Sequence, residues 1–570
     1  MSIQPTRPVR LRDSPSAALP EGLEGIDPVL ARIYASRGIK NTTDLDYGLN
    51  RLLPVSSLPA IDDAVSLLIR HKNNRIIIVG DFDADGATST ALVMRCLAKF
   101  GYSNVSYLVP NRFEFGYGLT PEIVTVAAQQ SPDLLVTVDN GVSSIDGVAR
   151  ANSLGIEVLV TDHHLPGKEL PDAAVMLNPN LHRGEFASPH LAGVGVAFYL
   201  MAALGRKLQS DGHDGAAKLP ASYLDLVALG TVADVVSLDH NNRVLVMQGL
   251  QRIRAGNSVP GIRALLAHAG KDARRVVSTD LGFVVGPRLN AAGRLEDMSI
   301  GIECLLTDSA DVAAKHAATL DRINRERRSI EADMRDQAFA YVDKLGNRNW
   351  PACVCLYDKS WHQGIVGLVA SRVKDRCHRP VIAFAKDNDG LLKGSARSVS
   401  GVHIRDLLEA IATAVPGLVP KFGGHAMAAG LSLAESDFDA FQKQAALQLK
   451  RLYPDADFSG VIVTDGPLPA SSMTLRFAKQ LSEAGPWGAG FPEPVFSGDF
   501  TIVEQRTVGE NHLKMTLQSP SGGKPIDAIA FNQSGPAYRG RVQLTFKLDV
   551  NEYRGFESPQ LIVSQIVQLS

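Results

Sequence analysis

Three carboxylates within six residues, Asp81-Phe82-Asp83-Ala84-Asp85-Gly86, follow the apolar run Arg75–Gly80. Strand periodicity would turn all three to one side just past a strand's carboxyl end, where like charges need a cation. The plainer alternative is an Asp-rich turn in which Asp85 caps a helix beginning near Thr88. The placement recurs, because Leu134–Val138 runs into Asp139-Asn140-Gly141 and Val158–Val160 leads to Asp162-His163-His164. A fourth apolar run, Ala228–Ala233, ends in Asp234. Carboxylates mixed with imidazole suit Mn²⁺ or Mg²⁺ better than the Cys-rich sites of structural zinc. Any one segment reads equally well as a turn; the four together favour a metal site.

The elements that must position these groups are apolar runs alternating with polar loops and helix-like stretches: Arg75–Gly80, Val105–Val109, Leu134–Val138 and Val158–Val160. That alternation predicts an α/β domain with a doubly wound parallel sheet. The carboxyl ends of such strands share one crevice, so Asp and His residues distant in sequence can converge there. Beyond them, 306–345 is rich in Ala, Arg, Asp and Glu with helical spacing of Leu320, Ile323, Ile330 and Met334, which predicts one long helix linking two domains. A second α/β unit follows from about 350 to 453, with strands at Ala352–Leu356 and Val381–Ala385. Five strands, Thr501–Val508, His512–Gln518, Ile526–Phe531, Val542–Val550 and Gln560–Val567, then predict a small OB-like β-barrel.

Composition narrows the function classes. The 570 residues carry 58 Lys+Arg against 60 Asp+Glu, a net charge of −2, which excludes a generally basic nucleic-acid coat protein but leaves room for a local basic groove. Five scattered cysteines fit neither a disulfide framework nor paired zinc spacing and indicate a reducing compartment; Cys353 and Cys355 read as packing residues. The N-terminus has no apolar signal core, and no stretch approaches the roughly 18 apolar residues of a membrane span, so a cytoplasmic location is expected. Neither a nucleotide-binding Gly-Lys-Ser/Thr loop nor a His-Glu-x-x-His zinc motif is present, and Gly193-Val194-Gly195 lacks the third glycine of a dinucleotide fingerprint.

Asp81-Phe82-Asp83-Ala84-Asp85-Gly86, Asp139-Asn140-Gly141, Asp162-His163-His164 and Gly230-Thr231-Val232-Ala233-Asp234 together resemble the four motifs of the DHH phosphoesterase superfamily. Their form, the chain length and the flanking blocks are most similar to the superfamily's single-stranded-DNA-specific 5′ to 3′ exonucleases, over about residues 30–570. The resemblance implies two metal ions, Mn²⁺ or Mg²⁺, with Asp139 shared, Asp81 and Asp83 on one ion, and Asp85, His163 and Asp234 on the other. His164 would face the scissile phosphate. Many small-molecule members begin the first motif with His, where this chain has Asp81.

The same resemblance bears on substrate binding. Pro110–Gly118 joins Arg112 to Phe113, Phe115 and Tyr117 in a loop, and Gly286–Arg294 sets Arg288 and Arg294 about a Gly/Ala turn, both suited to phosphate contact. Trp361–Gly367, Gly394–Ser398 and Phe422–His425 resemble the DHHA1 domain, which implies that Ser395, Arg397, Gly424 and His425 hold a terminal 5′-phosphate; His362 and His425 are equally readable as structural. Phe531, Tyr538, Phe546, Tyr553 and Phe556 lie among Arg539, Arg541, Lys547 and Arg554, a pattern for stacking bases on a barrel, or for a barrel core with a solvated rim.

The expected organisation is an extension (1–55), a DHH catalytic domain (56–305), a connecting helix (306–345), a DHHA1 substrate-binding domain (346–453) and an OB-like nucleic-acid-binding domain (454–570). The expected activity is metal-dependent degradation of single-stranded DNA to mononucleotides, in recombination and repair, with a single-strand-binding protein and a RecQ-type helicase as implied partners. Two rivals are a DHH phosphodiesterase for short oligonucleotides or cyclic dinucleotides, and a non-catalytic strand-binding scaffold similar to the replication factor Cdc45.

Overall fold

The computed structural model describes residues 6–13, 22–110, 118–181, 184–346, 350–387, 390–509, 511–533 and 538–569. The chain forms two compact units, a larger one from 11–324 and 464–570 and a smaller one from 1–10 and 325–463.

The larger unit is built on a five-stranded parallel sheet of β1 (Ile76–Val79), β2 (Val105–Leu108), β3 (Leu134–Val138), β4 (Glu157–Thr161) and β5 (Val175–Leu177), in the order β2-β1-β3-β4-β5. β1 is apolar throughout because both of its faces are covered. Ile76 and Ile78 enter one core cluster, while Ile77 and Val79 enter another on the opposite side. The strand order reverses between β1 and β3, which opens a crevice beyond their carboxyl ends. Helix α1 (Ala84–Lys99) follows β1, and α2 (Gly193–Ser210), α3 (Leu224–Ala233) and α4 (Gly286–Leu295) pack around it.

Two of these helices are not evident from the sequence pattern. The apolar run ending in Asp234 is α3, whose residues from Leu224 to Thr231 are all buried. A helix that is apolar all round carries no 3.6-residue stripe and reads like a buried strand. Residues 286–294 likewise form α4 rather than a turn; Pro287 at its first turn starts the helix, and its Gly and Ala residues allow close packing.

The linking helix is α5 (Ala310–Lys344), about 52 Å long at 1.5 Å per residue. The chain passes from the larger unit to the smaller within it, at Asn324–Arg325. The smaller unit contains β6 (Val354–Tyr357), α6 (Val366–Cys377), β7 (Val381–Lys386), β8 (Leu391–Arg397), β9 (Lys421–Gly424) and β10 (Ala428–Ala434). Its sheet runs β9-β10-β8-β7-β6, parallel only between β6 and β7. Cys353 and Cys355 pack in its core.

Strands β11 (Phe496–Val508), β12 (His512–Gln518), β13 (Ile526–Ala530), β14 (Arg541–Tyr553) and β15 (Phe556–Gln568) close a barrel in the order β11-β12-β13-β15-β14. Its interior is filled by Phe496, Phe500, Leu517, Leu544 and Phe546, and these side chains belong to the same core cluster as α1 and α2. Among the described residues, no single helix is long and apolar enough to cross a membrane.

Candidate metal centre

The carboxylates gather where β1, β3 and β4 end. The three of the first motif do not continue β1 as an extended strand. Asp81 lies in the loop, and Asp83 is the cap of α1, accepting the N–H groups of Asp85 at 2.9 Å and Gly86 at 3.0 Å. The cap is therefore Asp83, not Asp85, and the helix begins at Ala84 rather than near Thr88. Asp85, the second residue of the helix, accepts Gly193 N–H at 2.6 Å and Val194 N–H at 3.0 Å from the first turn of α2.

At the end of β3, Asp139 adopts φ +64°, a left-handed conformation that non-glycine residues rarely take. Asn140 fixes this turn by donating to the carbonyls of Val138 at 2.9 Å and Val79 at 3.1 Å, joining β3 to β1 at the point where the strand order reverses. After β4, the buried Asp162 accepts the N–H groups of His163 at 2.7 Å, His164 at 3.1 Å and Val142 at 2.8 Å, and lies 2.7 Å from His164 Nδ1. Asn180 and Asn178 donate to the carbonyls of His163 and His164 at 2.6 and 2.9 Å. Asp234 caps the carboxyl end of α3.

These elements bring His163 Nε2 to 3.1 Å from Asp139 and 3.4 Å from Asp234. Among the described residues, three groups have ligand atoms within 4.8 Å of one another: Asp81, Asp83 and Asp139; Asp85, His163 and Asp234; and Asp139, His163 and His164. Asp139 and His163 each belong to two of them, so the three groups join into one continuous cluster of donors.

The electrostatics call for positive charge. Burial, then the charge of Asp83, pushes the Asp85 carboxyl up to about 7. Burial, then Asp85 and Asp83, drives both Asp139 and Asp234 well above the ordinary carboxylate range. Burial would lower His164, but its bond to Asp162 and that residue's charge prevail and raise it to about 9. Burial likewise opposes ionisation of Asp162, yet His164, His163 and the Val142 N–H hold it below its ordinary value. A carboxylate cluster that resists full ionisation by itself, with imidazole at its edge, is the donor set of a hard divalent cation.

Several residues that shape the site carry no chemical signature in the sequence. A Cβ at Gly193 would lie 2.5 Å from Asp139 Cβ, and one at Gly230 would lie 2.7 Å from Asp85 Oδ1. Asn290 Oδ1 accepts Ala84 N–H at 2.7 Å, and a Cβ at Gly293 would collide with the Phe82 carbonyl. The block whose arginines suggest phosphate contact thus also braces the first motif. Gly193-Val194-Gly195, an incomplete dinucleotide motif by its spacing, supplies backbone donors to Asp85.

The remaining candidates fall elsewhere. Arg112, with Phe113, Phe115 and Tyr117, lies outside the described residues. Arg288 on α4 is buried, contacting Asp321 through Nε at 3.0 Å and Nη2 at 2.9 Å and donating to Val284 O at 2.7 Å. In the smaller unit, Arg397 donates to Ser395 Oγ at 2.9 Å, and a Cβ at Gly367 would lie 2.8 Å from both side chains. Ser395 and Arg397 therefore face the first turn of α6. Gly424, at φ +141°, ends β9, and His425 N–H donates to Ala428 O at 2.8 Å. On the barrel, Phe546 is core, whereas Phe531, Tyr553 and Phe556 are exposed.

The chain matches the models of the DHH family N-terminal domain over residues 75–231, the DHHA1 domain over 350–451 and the RecJ OB domain over 464–565. It is 50% identical to the single-stranded-DNA-specific exonuclease RecJ of Salmonella typhimurium, over 98% of this chain and 99% of that protein. Against the exonuclease RecJ of Thermus thermophilus it is 34% identical, over 93% of this chain and 74% of the relative. The crystal structure of Thermus thermophilus RecJ in complex with Mn²⁺ superposes with a TM-score of 0.83 at 30% identity, covering 99% of this chain and 80% of that one. The Mg²⁺ complex gives 0.77 at 28%, covering 99% and 79%.

Proposed function

The chain belongs to the RecJ family of single-stranded-DNA-specific exonucleases, and from that membership we propose that it removes mononucleotides from the 5′ end of single-stranded DNA. It is a metal-dependent phosphodiester hydrolase of the DHH family, using Mn²⁺ or Mg²⁺. The observation that carries the reading is the convergence of Asp81, Asp83, Asp85, Asp139, His163 and Asp234 at the carboxyl ends of β1, β3 and β4 and of α3.

Asp139 is the shared ligand, Asp81 and Asp83 complete one set, and Asp85, His163 and Asp234 complete the other. When bound, two such cations neutralise charge on the attacked phosphate and the leaving oxygen and activate water. Asp162 orients the His164 ring and keeps it charged, so His164 places a positive group against the scissile phosphate. Ser395, Arg397, Gly424 and His425 receive the terminal 5′-phosphate, helped by the first turn of α6, whose N–H groups favour an anion. Arg112 and Arg288 add phosphate contacts; the guanidinium of Arg288 has five donors, enough to serve Asp321 and a phosphate together. Exposed Phe531, Tyr553 and Phe556 stack bases along the barrel.

The corresponding division of the chain is an extension (1–55), catalysis (56–305), the connecting helix (306–345), end binding (346–453) and strand binding (454–570). A cytoplasmic place in recombination and repair, beside a single-strand-binding protein and a RecQ-type helicase, completes the proposal. The test is a 5′-labelled single-stranded oligonucleotide incubated with Mn²⁺ or Mg²⁺ beside an Asp139→Ala control. Labelled mononucleotide is expected as the first product, absent from the control and from blunt duplex. Cleavage of dinucleotides alone would replace this reading with an oligonucleotide phosphodiesterase.

A further inference from the structure

Two apolar side chains stand in solvent beside Asp234, and the hydrolytic chemistry uses neither. Val235 is 69% exposed and adopts φ +63°, a conformation in which a β-branched residue is a genuine outlier. The chain just beyond Val235 is clamped: Leu238 N–H donates to Ala489 O at 2.7 Å, and a Cβ at Gly488 would lie 2.6 Å from Leu238 Cδ1. Phe283 is 76% exposed and sits in a single π-helical turn, Leu281–Val285. That turn lies on the carboxyl end of α3, since a Cβ at Gly282 would be 3.1 Å from Val232 Cγ1 and one at Gly286 would be 3.1 Å from Ala233 Cβ.

An isolated exposed apolar residue needs no explanation. Here one is held out by strained backbone and the other by a π turn, both devices that concentrate at functional sites, and both flank the helix end that delivers a candidate ligand. The neighbouring carboxylates and His164 deal with phosphate and offer nothing to a flat, apolar base face.

We infer that Phe283 and Val235 form an apolar ledge against which the base of the nucleotide being cleaved packs. This inference rests on the exonuclease reading. Stacking of this kind is indifferent to sequence, because every base has a π-face, and it would hold the nucleotide while its phosphodiester is hydrolysed.

The experiment compares kcat/KM in Mn²⁺ on two 5′-phosphorylated single-stranded oligonucleotides, one natural and one with abasic residues at its first two positions. The wild type is expected to prefer the natural strand by roughly tenfold. Phe283→Ala should erase most of that preference, Phe283→Trp should retain it, and Val235→Gly, which relieves the backbone, should reduce it. Thermal unfolding with and without Mn²⁺ checks that each variant keeps its fold and metal response. A natural-to-abasic ratio unchanged in Phe283→Ala would overturn the ledge alone. A wild type that releases nucleotide from neither strand would overturn the exonuclease reading, and the ledge with it.

Discussion

Arg37 meets Asp465 through both arms of its guanidinium, Nη1 to Oδ1 at 2.7 Å and Nη2 to Oδ2 at 3.0 Å, with both side chains 1% exposed. The pair ties the helix Pro28–Ala35 to the start of the C-terminal segment, where Tyr34, Trp487 and Phe491 stack. Burial would push Asp465 up, but the Arg37 bonds and charge, Val495 N–H and Arg12 outweigh it and hold the carboxyl below its ordinary value. Arg37→Ala leaves a buried carboxylate without its main partner and should cost about 3–5 kcal/mol in denaturant unfolding. Because the folded pKa is depressed, the pair's contribution is fully present above pH ~4 and lost as pH falls through the folded value. The difference between wild type and Asp465→Asn should be flat from pH 5 to 8 and shrink in more acidic solution.

The metal centre should titrate in the opposite sense. Asp85 is raised to about 7, and Asp139 and Asp234 well above the ordinary carboxylate range, so between pH ~4 and 7 the metal-free fold binds more protons than the unfolded chain. Metal-free stability therefore falls as pH rises through that window, and added Mn²⁺ should reverse the loss. The Mn²⁺-induced gain in Tm should grow from pH 5.5 to 8; a gain independent of pH would contradict the raised carboxyls.

Gly293→Ala should damage catalysis through the backbone. The added methyl meets the Phe82 carbonyl, which lies between Asp81 and Asp83, and must displace that loop. A loss of nuclease activity of about 100-fold or more is expected, by analogy with small misplacements of catalytic groups, while far-ultraviolet circular dichroism stays native. Wild-type turnover would show that the loop does not need this contact.

End recognition should separate from chemistry. Arg397→Ala removes a charged donor beside Ser395 and should raise KM for 5′-phosphorylated strands by about 10- to 100-fold, the equivalent of a charged hydrogen bond of 1.5–3 kcal/mol. The effect on 5′-hydroxyl strands should be much smaller. Equal losses on both ends would remove Arg397 from phosphate recognition.

The features legible in the sequence are those written in burial pattern. Ile76–Val79 and Leu134–Val138 are apolar on both faces because helices cover both, and the polar residues that end them mark the crevice. What escapes a sequence reading depends on approaches between distant segments. The pressure of Gly193 on Asp139, or the reach of Asn290 to Ala84, has no local signature, since glycine and asparagine are equally at home in any turn. Asp162 is visible as part of a motif, but its role as organiser of two histidines emerges only when its four contacts, from Val142, His163 and His164, are seen together. The apolar run before Asp234 shows no helical stripe for the reason that makes α3 stable: it is buried on every side.

The larger unit is discontinuous in the chain, with residues 325–463 placed between its two parts. Its core cluster nevertheless runs from Leu23 to Val563, joining side chains from both parts. In vectorial synthesis, every candidate ligand of the metal centre emerges well before Asp465, Trp487 and Phe491, the groups that cover Arg37 and Tyr34. A nascent chain halted inside the smaller unit would thus carry every candidate metal ligand on an unfinished core. The segment 464–570 therefore supplies the last side chains of that core, which can close only once the segment has left the ribosome.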